Sequence, residues 1–211
     1  MTQPVRKEKE YFTYDDYLQW KDGRWQIIDG VVYDMSPAPS REHQRIVLEL
    51  AVKIHAQLQE GPCEVYMAPF DVRLPDSEGA KNNEILTVVQ PDIVVVCDED
   101  KLDDRGCLGA PDLVVEVLSP STAVLDLKEK RELYERHGVK EYWLAHPADR
   151  LLMVYRPDEN GCYQKAAVFG GTDIIESSAV AGIQFSLEDI FGKAPSKQPQ
   201  PFTQEPAHKQ P

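Results

Sequence analysis

Two stretches of the chain carry continuous apolar residues instead of an alternating pattern. They are QPDIVVV at 90–96 and LVVEVL from Leu113 to Leu118. A continuous apolar run is typical of a strand that is covered on both faces. Each run also contains an acid, because Asp92 opens the first and Glu116 lies inside the second. We therefore predict two buried neighbouring strands that carry one carboxylate each.

The stretch after Leu118 changes from loop to helix to strand. A Ser/Pro/Thr loop at 119–122 precedes a helix that ends near Gly138, and a strand follows from Tyr142 to Ala145. Ser and Thr hydroxyls at the start of a helix either hold an anion or cap the helix, and the sequence does not separate these two roles.

The rest of the chain predicts shorter elements around this segment. The first hairpin bends at Asp29-Gly30, and a helix from Arg41 to Gln59 has one apolar face. The other predictions are a short helix at 13–20, a strand at 64–74, a long polar loop at 74–86 that could flank the pocket, a hairpin about 147–149, a strand at 163–169 and a helix at 186–191. We expect residues 1–10 to be a flexible tail, 11–192 to be the domain, and the Pro/Gln-rich stretch 193–211 to be disordered.

The composition indicates a globular protein that does not cross a membrane. The chain has 211 residues, enough for one domain with a sizeable core, and it has no apolar run long enough to span a bilayer. Its polar N-terminus is no secretory signal. Cys63, Cys97, Cys107 and Cys162 are scattered without C-x-x-C spacing, so we expect reduced thiols in the cytoplasm and no zinc ligands. We also expect a homo-oligomer, a dimer.

Glu116 needs a positive partner if its strand is buried. A carboxylate in an apolar strand costs several kcal/mol unless a cation meets it. Lys130 lies in a mostly apolar stripe of the following helix, which runs through Ala123, Leu127, Tyr134 and His137. Two alternatives stay open: Lys130 reaches the pocket of Glu116, or it forms a surface ion pair with Asp126 at i, i+4. Glu116 itself could belong to an ordinary buried ion pair.

A metal at Glu116 requires a ligand from another strand. Asp112 lies on the same strand about 13 Å away at the rise of an extended chain, which is too far to share one ion. Asp92 on the neighbouring run is the better partner. Two carboxylates with a lysine nearby suit Mg²⁺ or Mn²⁺ and the hydrolysis of a phosphodiester.

These residues resemble a known nuclease family. The strings VVEVLSPST and GVKEYWLAHP, with the D-x-x-x-K-x-x-x-Y pattern of Asp126, Lys130 and Tyr134 between them, are similar to the Uma-two group of the PD-(D/E)XK nuclease superfamily. The resemblance covers roughly residues 10 to 192. It implies a restriction-endonuclease-like α/β core in which a mixed β-sheet is flanked by helices, with extra β-hairpins. It also implies metal-dependent cleavage of DNA.

The resemblance assigns roles to individual residues. Asp92, Glu116 and Lys130 match the catalytic set, with the two acids as metal ligands and with the lysine moved from position 118, which is Leu118, onto the helix. Gln26 stands where the family has a glutamate in its first-strand motif, and a neutral amide is a poorer metal ligand. His43 matches a histidine that the family often has after its Ser-Pro loop. Gln26, His43 and Asp126 are therefore possible auxiliary residues.

The charge of the chain counts against a DNA-binding role. There are 23 basic and 36 acidic residues, a net charge of −13, whereas a duplex-binding protein normally carries a basic surface. The alternative to an endonuclease is a weakened or inactive relative that binds or forms oligomers. A glycosidase that uses Asp92 and Glu116 is the weaker alternative, because Lys130 would have no role and the chain lacks an aromatic sugar platform.

Overall fold

A computed structural model describes residues 11–35 and 38–192. Its helices are α1 (Tyr14–Tyr17), α2 (Arg41–Gln57), α3 (Arg131–Arg136) and α4 (Leu187–Phe191), with a π-helical segment (Leu125–Lys130) directly before α3. The strands are β1 (Trp25–Ile28), β2 (Val31–Asp34), β3 (Glu64–Met67), β4 (Asp71–Arg73), β5 (Val88–Val89), β6 (Ile93–Val96), β7 (Leu102–Asp103), β8 (Gly106–Leu108), β9 (Leu113–Val117), β10 (Glu141–His146), β11 (Leu151–Tyr155), β12 (Ala167–Gly170), β13 (Ile174–Glu176) and β14 (Gln184–Ser186).

Twelve of these strands form two six-stranded mixed sheets. The central sheet has the order β12-β11-β10-β9-β6-β3, and the second sheet has the order β2-β1-β5-β4-β8-β7. Each sheet contains one parallel pair, β9 with β10 and β4 with β8, and its other pairs are antiparallel. The expected mixed α/β fold is confirmed, and the predicted first hairpin, β1–β2, belongs to the second sheet.

Helix α2 covers one face of the central sheet. Ser40 caps its N-terminus by accepting a hydrogen bond from the His43 backbone N–H, and Ile46, Leu50 and Ile54 on one face are fully buried. Residues at this spacing form one stripe on a helix. The apolar face predicted for this helix is therefore confirmed, and it fixes the direction in which the first turn of α2 projects.

The π-helical segment and α3 cover the opposite face of the central sheet. Together they form the crossover that joins the parallel strands β9 and β10, as the sequence predicted. The expected stripe is wrong in part, because Leu127 is exposed while Leu125, Asp126 and Leu133 are buried. The wider π turn changes the spacing of inward positions, and the helical-period assumption does not include such a turn.

Two predicted strands differ from the observed ones. The predicted strand 64–74 divides at Ala68-Pro69 into β3 of the central sheet and β4 of the second sheet. Proline donates no hydrogen bond to a ladder, which favours an interruption there. The strand predicted at 163–169 begins later, at Ala167, and the loop 74–86 does not line the pocket described below.

Cys63 and Cys97 form a disulfide, so the expectation of four reduced thiols is wrong. The register of β3 with β6 pairs Glu64 with Val96, so the two cysteines lie opposite each other at the next position. Their separation of 34 residues gave no local sign of this pairing. Cys107 and Cys162 are free.

The remaining expectations concern membrane crossing, the packing of the strand after α3, the two tails and the oligomeric state. In residues 11–35 and 38–192, no helix is long and apolar enough to cross a lipid bilayer. Tyr142 and Trp143 are fully buried in the core. The predicted tails, residues 1–10 and 193–211, lie outside the described part of the chain, and the dimer remains a prediction.

Candidate active site

Strand pairing brings Asp92 and Glu116 together. Because β6 and β9 are antiparallel and Ile93 pairs with Val115, Asp92 immediately before β6 lies beside Glu116. The backbone N–H of Asp92 faces Glu116 Oε2 at 3.4 Å, and the N–H of Val117 donates to Asp92 Oδ2 at 2.8 Å. Backbone N–H groups of the paired strands thus contact both carboxylates, that of Asp92 facing Glu116 and that of Val117 donating to Asp92.

The helix after β9 brings Lys130 into the same place. Its Nζ donates to Glu116 Oε1 at 2.8 Å and lies 3.2 Å from Asp126 Oδ1. Tyr134 OH donates to the same Glu116 oxygen at 3.1 Å. Lys130 is 4% exposed and Asp126 is 2% exposed. Lys130 therefore meets Glu116 and Asp126 together, and neither contact is a surface ion pair.

The electrostatics of the cluster set the charge of each group. Burial raises the pKa of Glu116 above its ordinary value, and the nearby Lys130 offsets only part of that rise. Burial by itself lowers the pKa of Lys130, but the charges of Glu116 and Asp126 outweigh it and raise this pKa above its ordinary value. Lys130 is therefore an ammonium ion at neutral pH.

His43 reaches the carboxylate of Asp92 from the first turn of α2. Its Nε2 lies 3.1 Å from Asp92 Oδ2. Burial lowers the pKa of His43, but the hydrogen bond and charge of Asp92 outweigh burial and leave this pKa above its ordinary value. His43 Nε2 and the backbone N–H of Val117 therefore both contact the same carboxylate oxygen, Oδ2 of Asp92.

The acids and Lys130 line one cavity of about 400 Å³ that opens to solvent. It is lined by all six residues singled out from the sequence: Gln26, His43, Asp92, Glu116, Asp126 and Lys130. Gln26 Oε1 and His43 Nδ1 are buried and have no hydrogen-bond partner among the described residues, and Asp126 Oδ1 meets Lys130 outside hydrogen-bonding geometry. Buried polar atoms without a partner are costly, so these atoms indicate a site that is completed by a ligand.

The donor chemistry of the cavity fits a hard divalent cation. Lys130 contacts the carboxylates of Glu116 and Asp126, and Asp92 lies beside Glu116, so the three acids carry more negative charge than Lys130 balances when they are ionised. Carboxylate and amide oxygens are the ligands that Mg²⁺ and Mn²⁺ prefer. In the described residues no set of three or more His, Cys, Asp or Glu side chains surrounds one point. A cation here would thus take further ligands from water or substrate, as Mg²⁺ commonly does.

The sequence did not assign two residues of this site. Tyr134 stands four positions after Lys130, and this helical spacing was a usable signal for its contact with Glu116. His146 lines the cavity from the end of β10, and its Nδ1 accepts a hydrogen bond from the Asp149 backbone N–H at 3.2 Å. His146 becomes a neighbour only through the parallel pairing of β10 with β9, which has no local signal.

Comparisons with known proteins give one family model, two similar proteins and one similar solved structure. The model of the Uma2 family, described as "Putative restriction endonuclease", matches residues 14–188. Two uncharacterized Synechocystis sp. proteins are similar: slr1290 is 25% identical over 181 residues, 84% of this chain and 90% of the relative, and sll1609 is 24% identical over 127 residues, 58% of this chain and 67% of the relative. The crystal structure of a putative nuclease belonging to DUF820 from Anabaena variabilis has a TM-score of 0.67 at 21% identity, covering 85% of this chain and 97% of that one. That likeness shows a shared fold.

Proposed function

We propose, from the premise that this chain belongs to the Uma2 family, that it is a metal-dependent endonuclease that hydrolyses DNA phosphodiester bonds. The observation that carries the proposal is the convergence of Asp92, Glu116 and Lys130 on one cavity from two strands and the following helix. A structural ion pair alone would need one acid for one lysine. The two additional acids, buried Asp126 and half-buried Asp92, favour a site that binds a cation.

Asp92 and Glu116 are the residues that would hold Mg²⁺ or Mn²⁺. When bound, the ion supplies an activated water and screens the charge that develops on the phosphate. The backbone N–H groups of Asp92 and Val117 hold the two carboxylates in place, and each acid adds negative charge to the site once it is ionised. Gln26 contributes an uncharged amide to the same wall, whose oxygen can accept a hydrogen bond from water and whose NH₂ group can donate to a phosphate, and which binds a second cation less well than a carboxylate would.

Lys130 supplies positive charge and not a base. Its raised pKa keeps the ammonium group protonated at neutral pH, so it cannot accept a proton from the attacking water. It steadies the scissile phosphate and orients Glu116 through their hydrogen bond. His43, whose pKa is also raised, holds Asp92 through Nε2 and is a possible proton carrier near neutral pH.

Nicking of supercoiled plasmid and cutting of single-stranded DNA test the proposal. The wild type should cut with Mg²⁺ or Mn²⁺ and should stop when the metal is chelated. Glu116→Gln and Lys130→Ala should each lower the rate by about 100-fold or more, because each removes a charge at the reacting phosphate. Lys128→Ala is the matched control, since Lys128 is exposed on the same helix, and it should cut at the wild-type rate.

The alternative of an inactive binding protein predicts a different result. Gln26, in place of the glutamate of the family motif, favours that alternative. Failure to cut any DNA, together with no Mn²⁺ binding by calorimetry, would refute the endonuclease proposal. Cutting that persists unchanged in both Glu116→Gln and Lys130→Ala would identify a contaminating nuclease. Thermal melting of each variant shows whether the folded protein was assayed.

A further inference from the structure

A second cavity lies beside the candidate active site and has no role in the proposed reaction. Its volume is about 450 Å³, within the range of small-ligand pockets. Gln90 lines both cavities, and it stands two residues before Asp92. Two residues of extended chain span at most about 7 Å. A group held in the second cavity is therefore a near neighbour of the candidate metal ligands.

One wall of the second cavity is an aromatic pair. Tyr66 and Phe70 are half-buried, and their rings stack with centroids 4.3 Å apart and planes 6° apart. Flat aromatic surfaces that remain accessible bind the faces of nucleobases without regard to base identity. The segment that carries these rings is attached to the active site, because the backbone N–H of Ala68 donates to the carbonyl of Asp92 at 3.2 Å.

The other walls are rich in hydrogen-bond acceptors. Asp71 Oδ1 accepts hydrogen bonds from Tyr17 OH at 3.0 Å and from the Gln90 amide at 2.9 Å. Asp103 and Asp104 line the same cavity and outnumber its lining cation, Arg105, so with Asp71 three carboxylates face one guanidinium there. Carboxylates repel a phosphate, but they accept hydrogen bonds from the N–H groups on base edges. The cavity thus suits a flat, uncharged ring with N–H donors.

We propose that this cavity binds an unpaired nucleobase of the strand that is cut, next to the scissile phosphate. The inference rests on the proposed endonuclease function, because that function places a strand at the neighbouring cavity. The base stacks on the outer face of the Tyr66–Phe70 pair, because the inner faces of the two rings already contact each other, and Asp71 and Gln90 lie at its edge. A paired base cannot enter, so the protein binds single-stranded or frayed DNA in preference to closed duplex.

Binding without turnover tests the base site separately from cleavage. The probe is a fluorescein-labelled phosphorothioate 12-mer of mixed sequence, single-stranded or annealed to its complement, titrated by anisotropy with and without Mn²⁺. Phe70→Leu and Tyr66→Leu keep apolar volume but remove a ring, and each should weaken single-strand binding by about tenfold, the effect of losing one stacked base. Phe70→Trp keeps an aromatic ring at this position, so it should bind the single strand about as tightly as the wild type does. Tyr11→Ala, at an exposed aromatic residue outside both cavities, should leave single-strand binding unchanged.

A covalent readout locates the base. The same strand carrying 5-iodouracil should crosslink on irradiation to Tyr66 or Phe70, identified by mass spectrometry. The base site is refuted if the Leu variants bind the single strand as the wild type does, or if the crosslinks fall elsewhere. A protein that cuts DNA but shows this result keeps the endonuclease function and loses the base site. A protein that never cuts but shows ring-dependent binding keeps the base site and loses the endonuclease function.

Discussion

At the scale of single residues, Glu116 organises the candidate site. A carboxylate buried in an apolar strand costs several kcal/mol unless it is paired. Here Lys130 and Tyr134 both donate to one of its oxygens, and the Asp92 backbone faces the other. The apolar run around Glu116 predicted that a cation would pair with it. It did not predict the second donor, the hydroxyl of Tyr134, because one strong donor would have been enough.

The raised pKa of Glu116 predicts a pH dependence of metal binding. A carboxyl group must lose its proton before it binds a cation, so Mn²⁺ affinity should rise with pH and release protons on binding. The rise should occur at higher pH than for an ordinary glutamate, because burial disfavours the charged form. Calorimetric titration with Mn²⁺ between about pH 5 and pH 9 measures this, because the range begins just above the ordinary pKa of a glutamate. Affinity that is constant above about pH 5.5 would contradict it, since an ordinary glutamate is ionised there.

We expect Asp126 to lower the free energy of unfolding while it contributes to the candidate active site. It is a third acid beside one lysine, and its Oδ1 lacks good hydrogen-bonding geometry. Asp126→Asn should therefore raise the free energy of unfolding by roughly 1 kcal/mol while slowing DNA nicking.

Urea denaturation and a nicking assay measure both effects of Asp126→Asn. Asp112→Asn is the matched control, because Asp112 is equally buried but accepts from Lys140 Nζ at 2.6 Å and from the Cys97 N–H at 2.7 Å. Its loss should lower the free energy of unfolding by about 1 kcal/mol or more, since well-made charged hydrogen bonds are lost. Equal destabilisation by both variants would show that Asp126 is only structural.

At the scale of elements, pairing between strands decides which groups meet. Glu116 and Asp92 converge because β6 and β9 are antiparallel with Ile93 opposite Val115. A shift of one residue would turn Glu116 to the other face of the sheet. The same pairing rule brings Cys63 to Cys97 at the far ends of β3 and β6.

The disulfide should stabilise the edge of the central sheet. It closes a loop with a sequence separation of 34 residues, for which chain entropy predicts roughly 4 kcal/mol of stabilisation. Dithiothreitol, or the double variant Cys63→Ser with Cys97→Ser, should therefore lower the melting temperature in calorimetry. Cys162→Ser is the control and should have no effect, because Cys162 is an exposed free thiol. An identical melting temperature in the presence and absence of reductant would exclude a stabilising disulfide.

At the scale of the whole molecule, the net charge of −13 limits how the proposed endonuclease could bind DNA. The Lys and Arg side chains that line the active-site cavity in the described part of the chain are Arg24 and Lys130. Affinity for DNA must therefore come from few phosphate contacts, a bound cation and contacts to bases. This balance differs from that of duplex-binding proteins with broad basic surfaces.

Salt dependence measures this balance. A plot of the logarithm of the association constant against the logarithm of the NaCl concentration should have a slope between about −0.7 and −2, which corresponds to one to three phosphates of a single strand. Binding of a single phosphorothioate strand with Mn²⁺ present gives the slope, and Arg24→Ala should make it shallower by about 0.7. A slope steeper than about −5 would reveal a basic surface that the cavity does not contain.

Local pattern was sufficient for much of this protein. The apolar runs determined the two buried strands, Ser40 and the apolar period determined α2, and Asp29-Gly30 determined the first hairpin. These features depend on neighbours a few residues away, where propensity and side-chain period act directly. Sequence also determined that Glu116 needs a positive partner, because the energy of a buried charge follows from its local surroundings.

Tertiary structure decided what depends on distant partners. In the folded chain Lys130 and Tyr134 both donate to Glu116, and Cys63 is bonded to Cys97. The predicted strand 64–74 is divided between two sheets, and His146 lines the cavity. The segment Leu125–Lys130 is wound as a π-helix, which turns Asp126 and Lys130 inward and leaves Leu127 exposed. Each of these outcomes is set by the pairing and packing of segments far apart in the chain, and a one-residue change of register would alter all of them without changing any local pattern.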